Sequence, residues 1–406
     1  MTRIDLTPGE ADDASTLGVG MIGYSFMGRA HSNGWRNARS FFTPPALPRL
    51  TVLAGRNAEA ATQTARQFGW QSVETDWRAV LEREDVDIVD ICTPGDSHVE
   101  IAVAALEAGK HVLCEKPLAN SVEEAERMVA AAEQAEAKGI RSMVGFTYRR
   151  VPAIAFAKSL VEDGRVGEIR HVRAQYLQDW LVDASSPLSW RLQKERAGSG
   201  ALGDIGAHII DLVQFITGEQ LTGVSALTET FVRQRPVGDV ADGLRASGAG
   251  SAEMGDVTVD DAAVFLSRLT GGALATFEAT RFATGRKNAI RLEINGSEGS
   301  LAFDFEDMNV LQVHSGSGPE AGFTRVVVTE PEHPYVAGWW PAGHMLGYEH
   351  GFTHQAVDFL TDVAQGRSPH PSFRDGLGVQ RVLEAVERSA AAESVWTPVA
   401  TNDPTH

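Results

Sequence analysis

Lys116 is the middle residue of Glu115-Lys116-Pro117, which directly follows the apolar run His111 to Cys114. That run reads as a buried strand, so the lysine stands at a strand's carboxyl end, and proline restricts the backbone beside it. An ammonium placed there can hold a developing alkoxide or join a proton transfer, with a pKa sensitive to burial. A second pair of groups lies in the glycine-rich stretch Gly198 to Asp211. Asp204 and His208 have the i, i+4 spacing; on a helix they share a face, and the carboxylate can orient the imidazole or raise its basicity. No further His or Cys stands at ligand spacing in that stretch, so no metal is expected.

The stretch Leu17 to His31 indicates what would sit beside these groups. It is an apolar strand-like run, a glycine-punctuated turn and a helix start. Gly23 and Gly28 have the spacing of the outer glycines of a dinucleotide fingerprint: the first permits a sharp turn, the last lets helix pack closely on strand. Ser25 takes the middle position, where backbone amides approach a pyrophosphate, and its hydroxyl can itself donate to phosphate. Phe26 and Met27 follow at the helix start, and are expected beside the cofactor. The second strand, Leu50 to Ala54, ends at Gly55-Arg56-Asn57, where such a fold meets the adenosine ribose. No acid stands there. Arg56 and Asn57 therefore permit NADP without excluding NAD. Thr93-Pro94 follows the run Asp87 to Cys92 and lies at the same level, with Ser97 a plausible cap for a helix that starts at His98; Thr93, Pro94, His98, Glu115 and Lys116 are expected to bind the cofactor.

These residues need a scaffold, and the sequence supplies two kinds. From Ala58 to Phe146 helix-like and strand-like segments alternate, including a capping box, Ser121-x-x-Glu124, that opens a long helix. This alternation predicts a parallel, doubly wound α/β sheet. Beyond Val151 strand-like runs come close together, as in Ala262 to Leu269, Ala273 to Phe282 and Ala289 to Asn295. They predict an α/β domain with a large, open, mainly antiparallel sheet, closed by helices near Glu349 to Gln365 and Arg374 to Glu393. The expected organisation is a disordered tail over 1–15, a nucleotide-binding domain over 16–147 and a second domain over 148–400. Pro236 to Gly255, rich in Gly, Ala and Asp, is expected to be a mobile excursion.

The chain has 406 residues, 43% of them hydrophobic, a length at which two domains are the better expectation than one. A formal charge of -18 argues against a nucleic-acid footprint or an anionic membrane surface. No run is long and apolar enough to span a bilayer. The cysteines, Cys92 and Cys114, each sit in an apolar run, which fits reduced thiols in the cytoplasm rather than a disulfide framework.

Together the glycine turn, Thr93-Pro94 with His98, Glu115-Lys116-Pro117 and the glycine-rich approach to Asp204 and His208 resemble the Gfo/Idh/MocA family of glucose-fructose oxidoreductase and inositol dehydrogenase-like enzymes. The resemblance extends from Leu17 to about Val399. It implies a Rossmann domain, a C-terminal domain with an open sheet, and NAD(P)-dependent redox chemistry on sugars, polyols and related alcohols. By the same resemblance Lys116, Asp204 and His208 occupy catalytic positions: His208 accepts a hydroxyl proton, Lys116 hydrogen-bonds the reacting oxygen and Asp204 positions His208, with Lys116 and His208 able to exchange roles. Tyr148, Arg149, Trp190 and Arg191 are expected in the substrate pocket, with Trp190 able to stack on an apolar sugar face. His344, within Trp339 to Tyr348, is expected on a second wall that resembles levoglucosan and inositol dehydrogenase relatives, which favours an uncharged sugar, anhydrosugar or polyol. Glycoside cleavage through transient redox and a non-catalytic NADP-responsive binding protein are the alternatives. The resemblance also implies a homodimer or homotetramer joined through the C-terminal sheet.

Overall fold

The structure, a computed structural model, describes residues 15–237 and 253–400. The tail expected over 1–15 lies outside the described residues apart from Ser15, as does all but the ends of the Pro236 to Gly255 segment.

Short apolar runs bounded by glycine and polar turns build the first sheet. In chain order they are β1 (Ser15–Ile22), α1 (Phe26–Phe41), β2 (Ala46–Ala54), α2 (Ala58–Phe68), β3 (Ser72–Glu74) and α3 (Trp77–Leu81). There follow β4 (Ile88–Ile91), α4 (His98–Glu107), β5 (His111–Cys114), α5 (Val122–Glu136) and β6 (Ser142–Val144). The strands are all parallel, in the order β3-β2-β1-β4-β5-β6. Strand order reverses between β1 and β4, so the ligand crevice of such a sheet lies beyond their carboxyl ends. β2 starts at Ala46, ahead of the expected start at Leu50. Because β3 pairs only with Val52 to Ala54, Pro48 lies along a free edge of β2, and its missing N–H is tolerated there.

The second part comprises α6 (Pro152–Glu162), β7 (Ile169–Leu177), α7 (Lys194–Ala197), a π turn at Leu202–Gly206, α8 (Ala207–Thr217) and β8 (Leu221–Glu229). A two-stranded ribbon, β9 (Gln234–Pro236) with β10 (Met254–Asp256), precedes β11 (Ala262–Leu269), β12 (Leu274–Thr280), β13 (Ala289–Gly296) and β14 (Gly299–Asp304). The chain ends through β15 (Val310–Ser315), β16 (Thr324–Val327), α9 (His350–Gln365), α10 (Phe373–Ala391) and β17 (Thr397–Pro398). Nine strands form one sheet in the order β16-β15-β14-β13-β7-β12-β11-β8-β17, antiparallel except where β7 meets β12. The expected open, mainly antiparallel sheet is therefore present.

Burial alternates along β11 as a sheet covered on one side requires. Ala263, Phe265 and Leu269 are buried, while Val264 and Leu266 are exposed, beside exposed Leu227 on β8 and Leu274 on β12. The last helices do not stay with this sheet alone. α9 packs on α1, and its Ala356, Phe359 and Leu360 share a core with Val19, Met21 and Trp35 of the first sheet. α10 lies against both α5 and β8, so the C-terminal helices tie the two sheets together.

Candidate active site

The turn between β1 and α1 has the geometry that its glycines predict. Gly23 has a φ of 107°, and a Cβ on it would come within 2.6 Å of the Cys92 carbonyl oxygen. A Cβ on Gly28 would lie 2.1 Å from the Gly23 carbonyl oxygen, so helix and turn touch there. Ser25 is the N-cap of α1, and Ser25 and Phe26 are exposed at the end of the helix where backbone N–H groups and the helix dipole attract an anion. Met27 is half-buried beside them. The turn and the helix N-terminus leave room and donors that fit a pyrophosphate.

The remaining expected cofactor residues divide by what they touch. Arg56 is exposed at the end of β2, while the Asn57 side-chain oxygen accepts from Ala60 N at 3.1 Å and caps α2. Thr93 and Pro94 are half-buried at the end of β4, and Thr93 Oγ1 accepts from Ser97 Oγ at 2.7 Å. That hydroxyl contact occupies Ser97, which makes no side-chain cap bond to α4. His98 is a correction. It is 1% exposed, with Nδ1 3.0 Å from the Pro117 carbonyl oxygen and Nε2 2.9 Å from that of Thr93. Both ring nitrogens are engaged, so His98 braces two strand-end loops rather than meeting a cofactor. Glu115 is likewise buried, with its carboxylate on His31 Nε2 at 2.9 Å and on the Lys116 amide at 3.3 Å.

Lys116 crosses from the first sheet to the π turn of the second part. Its Nζ donates to the Asp204 carbonyl oxygen at 2.6 Å and lies 3.4 Å from Asp204 Oδ1. On the other side Arg281, fully buried after β12, places Nη1 3.5 Å from Asp204 Oδ2. Burial would raise the Asp204 pKa, but Lys116, Arg281 and Arg191 outweigh it and hold it down at about 2.

The expectation that Asp204 orients His208 is therefore corrected. The cations take the carboxylate, Asp204 lies within the wide π turn that precedes α8, and His208 Nδ1 is buried without a hydrogen-bond partner among the described residues. His208 is held by rings instead: Tyr148 edge-on at 4.6 Å between centroids, Tyr176 at 5.9 Å and Phe146 at 6.1 Å. Burial, reinforced by the Lys116 charge, pushes its pKa well below the ordinary value, so the imidazole is neutral and can accept a proton.

Tyr148 packs on His208, and its hydroxyl lies 2.8 Å from that of Tyr176. Arg149 does not. Its guanidinium is buried on Asp211, with Nε at 2.9 Å from Oδ2 and Nη2 at 2.5 Å from Oδ1, so it is an ion pair of the core. Trp190 is half-buried and covers the Arg191 guanidinium at 4.5 Å, and the charged neighbours of Arg191 are Asp204 and Arg281. His344 is exposed, with Nδ1 2.7 Å from the carbonyl oxygen of Pro341 in its own turn. The same segment instead contributes Tyr348, which stacks on Phe26 at 6.2 Å and meets Tyr148 at 6.4 Å.

Sequence reasoning missed a polar wall. Tyr176 donates to Asn288 Oδ1 at 2.6 Å, Gln178 Nε2 to the same oxygen at 2.8 Å, and Trp180 Nε1 to Gln178 Oε1 at 2.9 Å. The i, i+2, i+4 alternation of Tyr176, Gln178 and Trp180 was the available signal, since alternate residues of an extended chain share a face. Arg281 and Asn288 carried no local signal.

Residues 17–145 match an oxidoreductase family described as having an NAD-binding Rossmann fold, and residues 154–302 match the GFO/IDH/MocA C-terminal domain. Levoglucosan dehydrogenase of Pseudarthrobacter phenanthrenivorans is 45% identical over 388 residues, covering 94% of this chain and 98% of that protein. The crystal structure of an oxidoreductase domain protein from Kribbella flavida is 64% identical, covers 95% of this chain and 100% of its own, and superposes with a TM-score of 0.90. A levoglucosan dehydrogenase structure in complex with NADH and levoglucosan is 42% identical, covers 95% and 100% respectively, and has a TM-score of 0.88.

Proposed function

The chain belongs to the Gfo/Idh/MocA family of NAD-binding oxidoreductases, and we propose that it oxidises a secondary alcohol of an uncharged sugar, anhydrosugar or polyol to the ketone, reversibly. The class follows from the kinship: an NAD-dependent dehydrogenase, with the levoglucosan dehydrogenases as similar proteins. The observation that carries the mechanism is Lys116 held on the Asp204 carbonyl just before α8, the helix that bears the neutral His208, with the rings of Tyr148 and Tyr348 linking His208 to Phe26 at the α1 N-terminus. Gly23, Ser25 and Gly28 would hold the cofactor phosphates. When bound, the nicotinamide supplies the hydride acceptor.

Within this reading the protein's own groups do the rest. His208 accepts the hydroxyl proton, because burial keeps its imidazole unprotonated. Lys116 donates to the reacting oxygen and stabilises charge as it develops there. Asp204, fixed by Arg281 from behind, positions the lysine rather than the histidine. Tyr148, Trp190 and Arg191 line the substrate side, and the hydroxyl and amide wall of Tyr176, Gln178 and Asn288 suits a ligand with several hydroxyls. A homodimer or homotetramer through the bare face of the nine-stranded sheet completes the reading, supported by exposed Leu227, Val264 and Leu266. No helix among the described residues is long and apolar enough to cross a membrane, and both cysteines are free thiols, which supports a cytoplasmic site of action.

The test is a screen of levoglucosan, inositols and simple aldoses with NAD and NADP, following absorbance of the reduced cofactor. Turnover of at least one member of this set is expected. Failure of every neutral sugar and polyol to reduce either cofactor would overturn the substrate class.

A further inference from the structure

α1 does more than present its N-terminus to a phosphate. One turn apart on the helix, His31 and Trp35 both point at Asp90 near the end of β4. His31 Nδ1 lies 3.0 Å from each Asp90 carboxylate oxygen, and Trp35 Nε1 donates to Oδ2 at 2.7 Å. The other imidazole nitrogen, Nε2, lies 2.9 Å from Glu115 Oε1 at the end of β5. Glu115 Oε2 in turn accepts the Lys116 amide at 3.3 Å. His31 is 2% exposed, Asp90 0% and Glu115 4%, so solvent does not compete for these bonds.

An ionised carboxylate only accepts, so the geometry calls for a proton on each ring nitrogen. The group is an imidazolium between two carboxylates, with one net negative charge. Burial alone would lower the His31 pKa, but the Asp90 charge outweighs it and holds the imidazole well above its ordinary value. The other neighbours do not supply a rival charge. Cys92 donates its thiol to Asp90 Oδ1 at 3.5 Å and is kept protonated by burial, and on α9 the Phe352 ring faces the imidazole at 5.3 Å.

We propose that His31 is a positioning residue for the reaction: it ties the phosphate-binding helix to the strand end that carries Lys116, and holds the Glu115 carboxylate turned toward the Lys116 amide. Without the imidazolium the two buried carboxyl groups face one another with no cation between them, and their repulsion turns Glu115 away from the Lys116 amide, so that the lysine loses its anchor. Removing one carboxylate together with the imidazole takes that repulsion away.

The inference rests on Lys116 acting at the reacting oxygen, so Lys116→Ala is measured alongside. His31→Gln should lower kcat by about 10- to 100-fold, the scale of a misplaced catalytic group, with the sugar KM changing less than kcat. His31→Gln combined with Asp90→Asn should regain most of that loss, which a role in packing alone would not produce, since the pair removes more native contacts than the single change. Should His31→Gln fail to fold, the double variant decides: folding with kcat within about 10-fold of the unaltered enzyme supports the inference, and a larger loss overturns it. It is also overturned if His31→Gln turns over normally, or if the double variant is no better than the single one. An active Lys116→Ala would instead overturn the proposed mechanism, whatever His31 does.

Discussion

Lys116 Nζ donates to the backbone carbonyl of Asp204 at 2.6 Å, a bond that joins the end of β5 to the π turn before α8 across 88 positions of sequence. It holds the ammonium at the junction of the two sheets, near enough to His208 to disfavour the charged imidazole, and in the proposed mechanism a reacting hydroxyl meets both groups. Lys116→Ala and His208→Ala should each reduce kcat by roughly 10²–10⁴-fold, the usual worth of general acid/base assistance. Cofactor Kd, read by fluorescence titration with the reduced cofactor, should change little, because neither side chain lies at the glycine turn. Near-normal kcat in both variants would sink the assignment.

Arg56 stands exposed at the end of β2, where the adenosine ribose is expected, and no acid accompanies it. Arg56→Asp should move the NADP/NAD ratio of kcat/KM toward NAD, since a carboxylate accepts ribose hydroxyls and repels a 2′-phosphate. An unchanged ratio would show that Arg56 points away from the adenosine.

His354 predicts a pH dependence of stability. Its Nε2 accepts from Trp339 Nε1 at 2.7 Å while Nδ1 lies 2.9 Å from the Arg150 carbonyl oxygen, so a second ring proton would oppose the tryptophan donor. Burial pushes the folded pKa down to about 3. The unfolded chain therefore binds the proton first. The contribution of His354 is fully present above its unfolded value near 6.5 and is lost as pH falls toward 3, at about 1.4 kcal/mol per pH unit within that window. Urea unfolding at pH 7 and pH 5 should show a smaller loss for His354→Gln than for the unaltered protein. An equal loss would place the sensitivity elsewhere.

The sheet face that carries Leu227, Val264, Leu266 and Leu274 predicts assembly. Light scattering at micromolar concentration should give a dimer or tetramer mass, and Val264→Lys with Leu266→Lys should shift it toward the monomer while secondary structure is retained. A monomer mass for the unaltered protein would mean that this face stays wet.

Much of this protein was legible before its fold, because its determinants are local. Gly23 and Gly28 are demanded by a turn whose carbonyl contacts exclude a Cβ, and the strand ends at Thr93 and Lys116 follow from apolar runs with known exits. Burial alternation along β11 is likewise written in adjacent residues. What the tertiary structure alone decided is which polar groups pair at a distance. Arg149 looked like a pocket arginine until Asp211 placed it in the core, and Asp204 looked like the partner of His208 until Lys116 and Arg281 claimed its carboxylate. His98 and His31 occupy helix positions that could as well have met a cofactor; strand-end carbonyls and carboxylates from other parts of the chain settled their roles. Glycine turns and periodic burial are short-range steric facts, whereas the partner of a buried charge is set by whichever opposite charge or dipole the packed sheets bring within a few ångströms.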